Sequence, residues 1–169
     1  MIDLDEIAAI LESLPSALRT LLAPYDDTTL RARPEPGEWC VLEVVAHLIT
    51  CDRGAFRDRI EAIAGGAAEV PGFDAGAALD ARDPMHATIG ELLGELAAVR
   101  SESVAFVRSL EPAALTATAS FRDHGTFAAS DFLLEWPYHD QDHIRQILDA
   151  VQRHYLPHMT ATMRTALTG

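Results

Sequence analysis

The sequence predicts an all-α protein, a four-helix bundle with a short C-terminal tail segment. Four long stretches repeat apolar residues at helical spacing, and no run of alternating β-branched residues indicates a strand. Abundant Ala favours helix further. The chain has 169 residues, the length of one domain with a sizeable core. We therefore expect a single four-helix-bundle domain over residues 1–169.

The first two predicted helices occupy the N-terminal part of the chain. The first spans Ile2 to Ala23, and Pro15 either kinks it or opens its second half. A turn-rich segment follows over residues 24–39. The second helix is expected from about Cys40 to Ala64, because the adjacent Gly65 and Gly66 are a common C-terminal signal.

The third and fourth predicted helices follow a Gly/Ala-rich loop that reaches Arg82. Asp83 is typical of an N-cap and Pro84 of the first helical position, so the third helix should begin there and end before Pro112. A loop over residues 112–127 leads to the fourth helix, expected over Ser130–His154, and a short tail follows.

The charge balance argues against two classes of partner. There are 26 acidic residues and 13 basic ones, all of them Arg, so the net charge is −13. Nucleic acids and anionic membranes both bind basic surfaces, and neither is expected as a partner. No stretch approaches the roughly 20 apolar residues of a membrane span, and the acidic N terminus does not resemble a signal peptide. With only two Cys, we expect a cytoplasmic protein without a disulfide framework.

The most specific chemical pattern is the pair His139 and His143 on the predicted fourth helix. Residues four apart lie on one side of a helix, about 6 Å apart along its axis, so two such imidazoles can bind one metal ion. The pair shares its face with Phe132 and Trp136, which indicates that it points into the core. Sites with an open position use about three protein ligands, and His47 on the second helix is the candidate for the third.

Alternative interpretations of these and neighbouring residues stay open. His47 is also compatible with a hydrogen-bonded packing role, whereas a buried His pair has few structural uses because each ring needs a partner. Glu135 lies one turn before His139, and Glu43 and Cys51 flank His47 at the same spacing. Any of these three is a candidate further ligand, and the alternatives are a solvated Glu and a core Cys.

Two carboxylates fall within apolar helix faces and need partners. Arg59, two turns after Asp52 on the same face, is available to it. Asp140 would either orient a ligand imidazole or satisfy backbone donors or an interface, and Gln146 is a similar candidate to support an imidazole. Pro137 either kinks the fourth helix beside the site or only shapes the bundle.

Several short motifs together resemble one family. PGEW precedes the second helix, EVVAHL lies within it, and a G-x-F-x-A-x-D-x-L segment leads into HDQDHIRQI. Their order and spacing resemble the DinB-like (DinB/YfiT) superfamily of metal-dependent enzymes over nearly the whole chain. The resemblance implies a four-helix bundle with one divalent metal, nickel, zinc or iron, held by His47, His139 and His143.

The resemblance also implies a class of reaction. Characterised relatives use low-molecular-weight thiols such as mycothiol or bacillithiol, and others are damage-inducible. We therefore expect a metal-dependent thiol S-transferase or hydrolase acting on a small molecule, in which the metal lowers the pKa of a thiol or of water. Glu135 is the candidate catalytic residue, and Phe132 and Trp136 are the candidate pocket residues, with the loop over 112–127.

A different class of function remains open as the alternative. The sequence contains no obvious general base beyond Glu135 and Glu43, which is compatible with a non-catalytic metal- or ligand-binding stress-response bundle. Under either function we expect a homodimer, because relatives form dimers and four helices cannot bury all the apolar residues.

Overall fold

The computed structural model describes residues 3–168, and nearly all of its regular structure is helical. The α-helices are, in chain order, α1 (Leu4–Leu22), α2 (Asp27–Arg31), α3 (Val41–Cys51), α4 (Asp58–Ala64), α5 (Ala75–Arg82), α6 (Ile89–Ser109), α7 (Ala129–Arg153) and α8 (Ala161–Thr168). A π-helical segment, Asp52–Arg57, joins α3 to α4 in one continuous helix. The strands are β1 (Thr118–Ser120) and β2 (Thr126–Ala128).

Four long helical segments form the bundle, which confirms the predicted fold class. They contact one another in the cyclic order α1, α6, the α3–α4 helix, α7. Helices α1 and α3, which the first long connection joins, therefore lie diagonally opposite in the bundle. Helices α6 and α7, which the last long connection joins, form the other diagonal pair. Because α3 and α7 are neighbours in this order, the residues predicted to bind a metal lie on adjacent helices. No helix within residues 3–168 combines the length and the apolar character needed to span a bilayer.

The predicted start of the first helix, Ile2, lies outside the described residues; the observed helix α1 ends within one residue of its predicted end and continues through Pro15. The Asp3 carboxylate caps it by accepting the N–H groups of Asp5 and Glu6. Its apolar stripe is buried along the whole length, including Leu11 and Leu18. The fourth predicted helix, α7, also matches its expected bounds within one residue and is continuous through Pro137.

The predicted start of the third helix at Pro84 is wrong. Residues Pro84–His86 form a single 3-10 turn, and α6 begins only at Ile89. The Thr88 hydroxyl accepts the Glu91 N–H while the Glu91 carboxylate accepts the Thr88 N–H. This reciprocal capping box satisfies two N-terminal donors, so it fixes the helix start more strongly than the upstream Asp-Pro pair.

Three connections predicted to be irregular contain regular structure. Helices α2 and α5 occupy parts of the first and second connections. The loop over 112–127 contains most of an antiparallel hairpin, in which Ala119 of β1 is opposite Phe127 of β2. Each strand has three residues, too few for the alternating pattern that identifies a strand from sequence.

The π-helical segment Asp52–Arg57 interrupts the helix that carries His47. Gly54 lies within it, and a Cβ there would overlap the Phe73 ring, so the close approach of Phe73 requires glycine. The wider turn directs Asp52 and Phe56 into the core, where both are buried. Single π-helical turns of this kind are frequent at functional sites.

A cluster of three buried charged residues lies at the centre of the bundle. Arg100 of α6 donates from Nη1 and Nη2 to the two carboxylate oxygens of Asp140, at 2.6 and 3.2 Å. Its Nε lies 2.9 Å from Asp52 Oδ2. The predicted partner of Asp52 is therefore wrong: Arg59 instead donates to the Pro71 carbonyl. Asp140 fulfils neither predicted role, because both its oxygens bind Arg100.

We predict that Arg100→Met lowers the free energy of unfolding by about 3–5 kcal/mol, because it leaves two buried carboxylates without their counter-charge. Urea unfolding measures the change. Arg108→Met is the matched control on the same helix, since Arg108 pairs with Glu12 at the exposed surface. Equal effects of the two substitutions would contradict a structural role for the buried cluster.

Candidate metal centre

Three imidazoles converge where α3 packs against α7. The Nε2 atoms of His47 and His139 are 3.1 Å apart, and those of His139 and His143 are 3.2 Å apart. His47 lies in the middle of α3, and the other two rings project from successive turns of α7. The structure thus brings together all three residues that the sequence analysis selected as metal ligands.

The two separations that involve His139 Nε2 resemble those between ligands of one cation. In a tetrahedral zinc site with Zn–N distances of 2.0–2.1 Å, neighbouring nitrogens are about 3.3–3.4 Å apart. Hydrogen bonding among the rings accounts for the arrangement less well. A neutral imidazole nitrogen carries either one proton or one lone pair, whereas the single Nε2 of His139 faces two partners. A cation between the rings would satisfy all three lone pairs.

The site favours neutral imidazoles, the protonation state that a metal requires. Burial, reinforced by His143, lowers the pKa of His47 to about 4. Burial also lowers the pKa of His139 to about 3, with further contributions from His143, His47 and Arg100. Both rings are therefore uncharged at neutral pH.

The contacts at the Nδ1 atoms differ between the rings. His143 Nδ1 lies 2.8 Å from Gln146 Oε1 and donates to it, which leaves the His143 Nε2 lone pair free. Gln146 thus supports an imidazole as predicted, although the sequence placed it beside His139. The Nδ1 of His139 is buried without a hydrogen-bond partner among the described residues. Its ring orientation depends on packing instead.

Aromatic packing supports His139 from the interior. Phe56, in the π-helical segment, meets the His139 ring edge-on at a centroid distance of 5.1 Å. Trp136 stacks on Phe56, also at 5.1 Å and nearly parallel. Trp136 and Phe132 are both buried, so these candidate pocket residues lie in the core.

A cleft reaches the His143 imidazole from the surface. It has a volume of about 400 Å³ and is lined by Pro34, Gly37, Glu38, Trp39, His143, Gln146 and Asp149. The Trp39 ring lies 4.8 Å from the His47 ring and 6.4 Å from that of His143. Neither Phe132 nor Trp136 lines this cleft. Trp39 is not among the pocket residues predicted from the sequence, although it is the last residue of the PGEW motif.

The two candidate glutamates lie in different surroundings. Glu43 accepts the Cys40 N–H at 2.9 Å and pairs with Arg33, so its carboxylate caps α3. Glu135 is exposed, one turn before His139. Partial desolvation raises the pKa of its carboxyl group, and Arg59 opposes that change.

Cys51 is the remaining candidate around His47. Its Sγ lies 3.4 Å from His47 Nε2, and the side chain is buried. The potential ligand atoms of His47, Cys51 and His139 all lie within 4.8 Å of one another. Burial raises the pKa of the Cys51 thiol to about 12. Cys51 is therefore a buried thiol in contact with the imidazole cluster.

The lowered pKa of His139 predicts a pH-dependent contribution to the stability of the metal-free protein. The unfolded imidazole binds a proton near its ordinary pKa of 6.5 and the folded one only near 3, so acid favours unfolding within this window. We expect the stability lost on His139→Gln to shrink as the pH falls from about 7 to about 4, as measured by urea unfolding with chelator present.

The comparison with the variant is needed because other groups titrate in the same range. The pKa values of Asp52 and Asp140 are raised by burial, so protonation of these carboxyls stabilises the fold as the pH falls. The wild type and His139→Gln share this opposite contribution, so it cancels in the difference between their free energies of unfolding. A difference that does not change with pH would contradict the lowered pKa of His139.

Comparisons with known proteins agree with this architecture. A family model described as the DinB superfamily matches residues 10–147. Among solved structures, the chain is similar to YfiT from Bacillus subtilis, described as a probable metal-dependent hydrolase with an unusual four-helix bundle topology. The TM-score is 0.78 at 20% sequence identity, and the alignment covers 91% of this chain and 90% of YfiT. A comparison with curated protein sequences finds no match. Because the family model matches most of the length of this chain, the chain belongs to the DinB superfamily.

Proposed function

We propose that this chain is a divalent-metal-dependent enzyme in which His47, His139 and His143 bind the cation through Nε2. The supporting observation is the convergence of these nitrogens, 3.1 and 3.2 Å apart, from two neighbouring helices. Three protein ligands leave a coordination position open for chemistry. The cleft reaches His143, so a small molecule would approach from that side.

The chemistry follows from the neutral donor set. A divalent cation bound there would lower the pKa of a water or thiol that approaches from the cleft, and three uncharged ligands leave its full charge available for this. Gln146 fixes the tautomer and orientation of His143. Trp39 forms an apolar wall, and Glu38 and Asp149 place negative charge in the cleft. Glu135 remains the candidate general base.

Hydrolysis is the reaction that we favour. YfiT, whose fold is similar over 91% of this chain, is described as a probable metal-dependent hydrolase. Water also needs no binding site of its own beyond the open position. Transfer of a low-molecular-weight thiol is the other function that the family resemblance implies. It would use the same open coordination position, and a parallel assay distinguishes it from hydrolysis. Three imidazoles do not select among nickel, zinc and iron.

We predict that the purified protein binds one equivalent of a divalent cation and that His139→Ala and His143→Ala each lose it, because each removes one of three ligands. Elemental analysis of the purified proteins measures the content. His86→Ala is the matched control, since His86 is an exposed imidazole that pairs with Asp83. Absence of a stoichiometric cation, or unchanged content in His139→Ala, would contradict the site.

The same variants test the reaction. Wild type and His86→Ala should hydrolyse members of a panel of ester and amide substrates, and His143→Ala should lose that turnover. Parallel assays with low-molecular-weight thiols and electrophiles distinguish transfer from hydrolysis. A metal-loaded wild type without turnover in either arm would favour the non-catalytic binding bundle over an enzyme.

We also propose that the chain forms a homodimer through the outer face of α7. Leu134, Tyr138 and Leu148 lie on one side of this helix and are 49%, 65% and 42% exposed. Large apolar side chains exposed on one face of a helix favour an interaction surface. A symmetric pairing of the same face in two copies would bury them.

We predict that Leu134→Glu combined with Leu148→Glu raises the dimer dissociation constant at least tenfold, because it places charges in an apolar interface. Sedimentation equilibrium measures the constant. Ile10→Glu is the matched control, an exposed apolar position on α1. A monomeric wild type, or the same dissociation constant in the α7 double variant, would exclude this interface.

A further inference from the structure

We propose that Cys51 is a fourth ligand of the cation, coordinating as a thiolate from the interior side of the imidazole cluster. The inference rests on the proposed function, because it concerns the same cation. Cys51 would add a sulfur donor to the site. Three histidines alone do not determine which metal binds, whereas a sulfur donor gives a preference.

The position of Cys51 fits a fourth ligand. Its Sγ lies 3.4 Å from His47 Nε2. With Zn–S near 2.3 Å and Zn–N at 2.0–2.1 Å, sulfur and nitrogen ligands of one tetrahedral zinc are about 3.5–3.6 Å apart. The two measured nitrogen–nitrogen separations and this sulfur–nitrogen separation, three of the six edges of a four-ligand tetrahedron, are within a few tenths of an ångström of tetrahedral values. The potential ligand atoms of Cys51, His47 and His139 all lie within 4.8 Å of one another, and His143 is not part of that group. A thiol–imidazole hydrogen bond would give a similar distance, and the experiment below separates the two.

Local structure holds Cys51 at this place. It ends α3, and the next residue, Asp52, begins the π-helical segment and pairs with Arg100. On α7 the same arginine holds Asp140, the residue after His139. One buried guanidinium therefore fixes the backbone directly beside two proposed ligands on different helices.

Cys40 provides an internal contrast. It is the only other Cys in the chain, and it is also buried. Cys40 is the N-cap residue of α3, and its Sγ lies 3.6 Å from Met85 Sδ. Cys51 is similarly buried, at 2% exposed, but its thiol contacts the His47 ring. The two residues thus share burial and chemistry but differ in contact with the imidazoles.

Coordination by Cys51 has two chemical consequences. The S–H bond is replaced by a sulfur–metal bond and the proton passes to solvent, so the charge of the centre falls from the +2 that three histidines alone would leave to +1, and a bound water or thiol would be activated less strongly. A thiolate also shifts the preference from iron towards zinc, because sulfur is a soft donor. Zinc accepts a fifth ligand, so four protein ligands do not block approach from the cleft, which Cys51 does not line.

Cobalt(II) substitution tests the proposal directly. The cobalt-loaded wild type should show visible d–d bands together with near-ultraviolet sulfur-to-cobalt charge-transfer absorption. Cys51→Ala should keep the d–d bands and lose the charge-transfer absorption, and Cys40→Ala should keep both. Zinc affinity, measured by chelator competition, should fall at least tenfold in Cys51→Ala relative to Cys40→Ala.

The outcomes separate this inference from the proposed function. Cobalt d–d bands without charge transfer in the wild type, or charge transfer that persists in Cys51→Ala, would overturn the role of Cys51 and leave the metal site intact. Failure of the wild type to bind cobalt at all would overturn the proposed function. Zinc X-ray absorption of the wild type decides independently of any variant's folding. One sulfur near 2.3 Å is expected, and a shell of nitrogen and oxygen alone would exclude the ligand.

Discussion

The buried pairing of Arg100 with Asp52 and Asp140 is the constraint on which the rest of the structure depends. All three side chains are almost fully buried, so each charge has lost its hydration and is compensated mainly by the others. A shift of one helix along another would leave a charge unpaired. The cluster therefore fixes the register of α6, α7 and the helix that carries His47.

That register is transmitted to the imidazoles by the neighbouring backbone and by aromatic packing. Asp140 follows His139 directly, and Phe56 of the π-helical segment packs on the His139 ring. Trp136 stacks on Phe56 and also lies 5.7 Å from the Arg100 guanidinium. The charge cluster, the aromatic stack and the proposed metal ligands are thus one connected unit, whereas Gln146 and Trp39 belong to the cleft side.

Much of this arrangement is encoded locally and was predictable. Helical periodicity identified the four long helices, and the i,i+4 spacing placed His139 and His143 on the inward face. The pairing of Asp52 was not predictable, because Arg100 is 48 residues away in sequence and only the packed bundle brings it closer than Arg59. The π-helical segment was not predictable for a similar reason, because the close contact between Gly54 and the Phe73 ring forms only in the folded protein.

Other errors came from competing local signals. Asp83 and Pro84 resemble a helix start, yet the capping box at Thr88 and Glu91 forms two hydrogen bonds and determines where α6 begins. The short hairpin over 118–128 lacks enough residues to show a period. Where two patterns competed, the one that satisfied more backbone donors prevailed.

We propose that one divalent cation lies between the imidazoles of His47, His139 and His143. Anomalous diffraction from crystals of the metal-loaded protein, recorded on both sides of the metal's absorption edge, tests it most directly. One metal peak is expected at roughly 2.0–2.1 Å from the Nε2 atom of each of these histidines. A metal peak elsewhere, or none at these rings in a protein that retains its cation in solution, would contradict it.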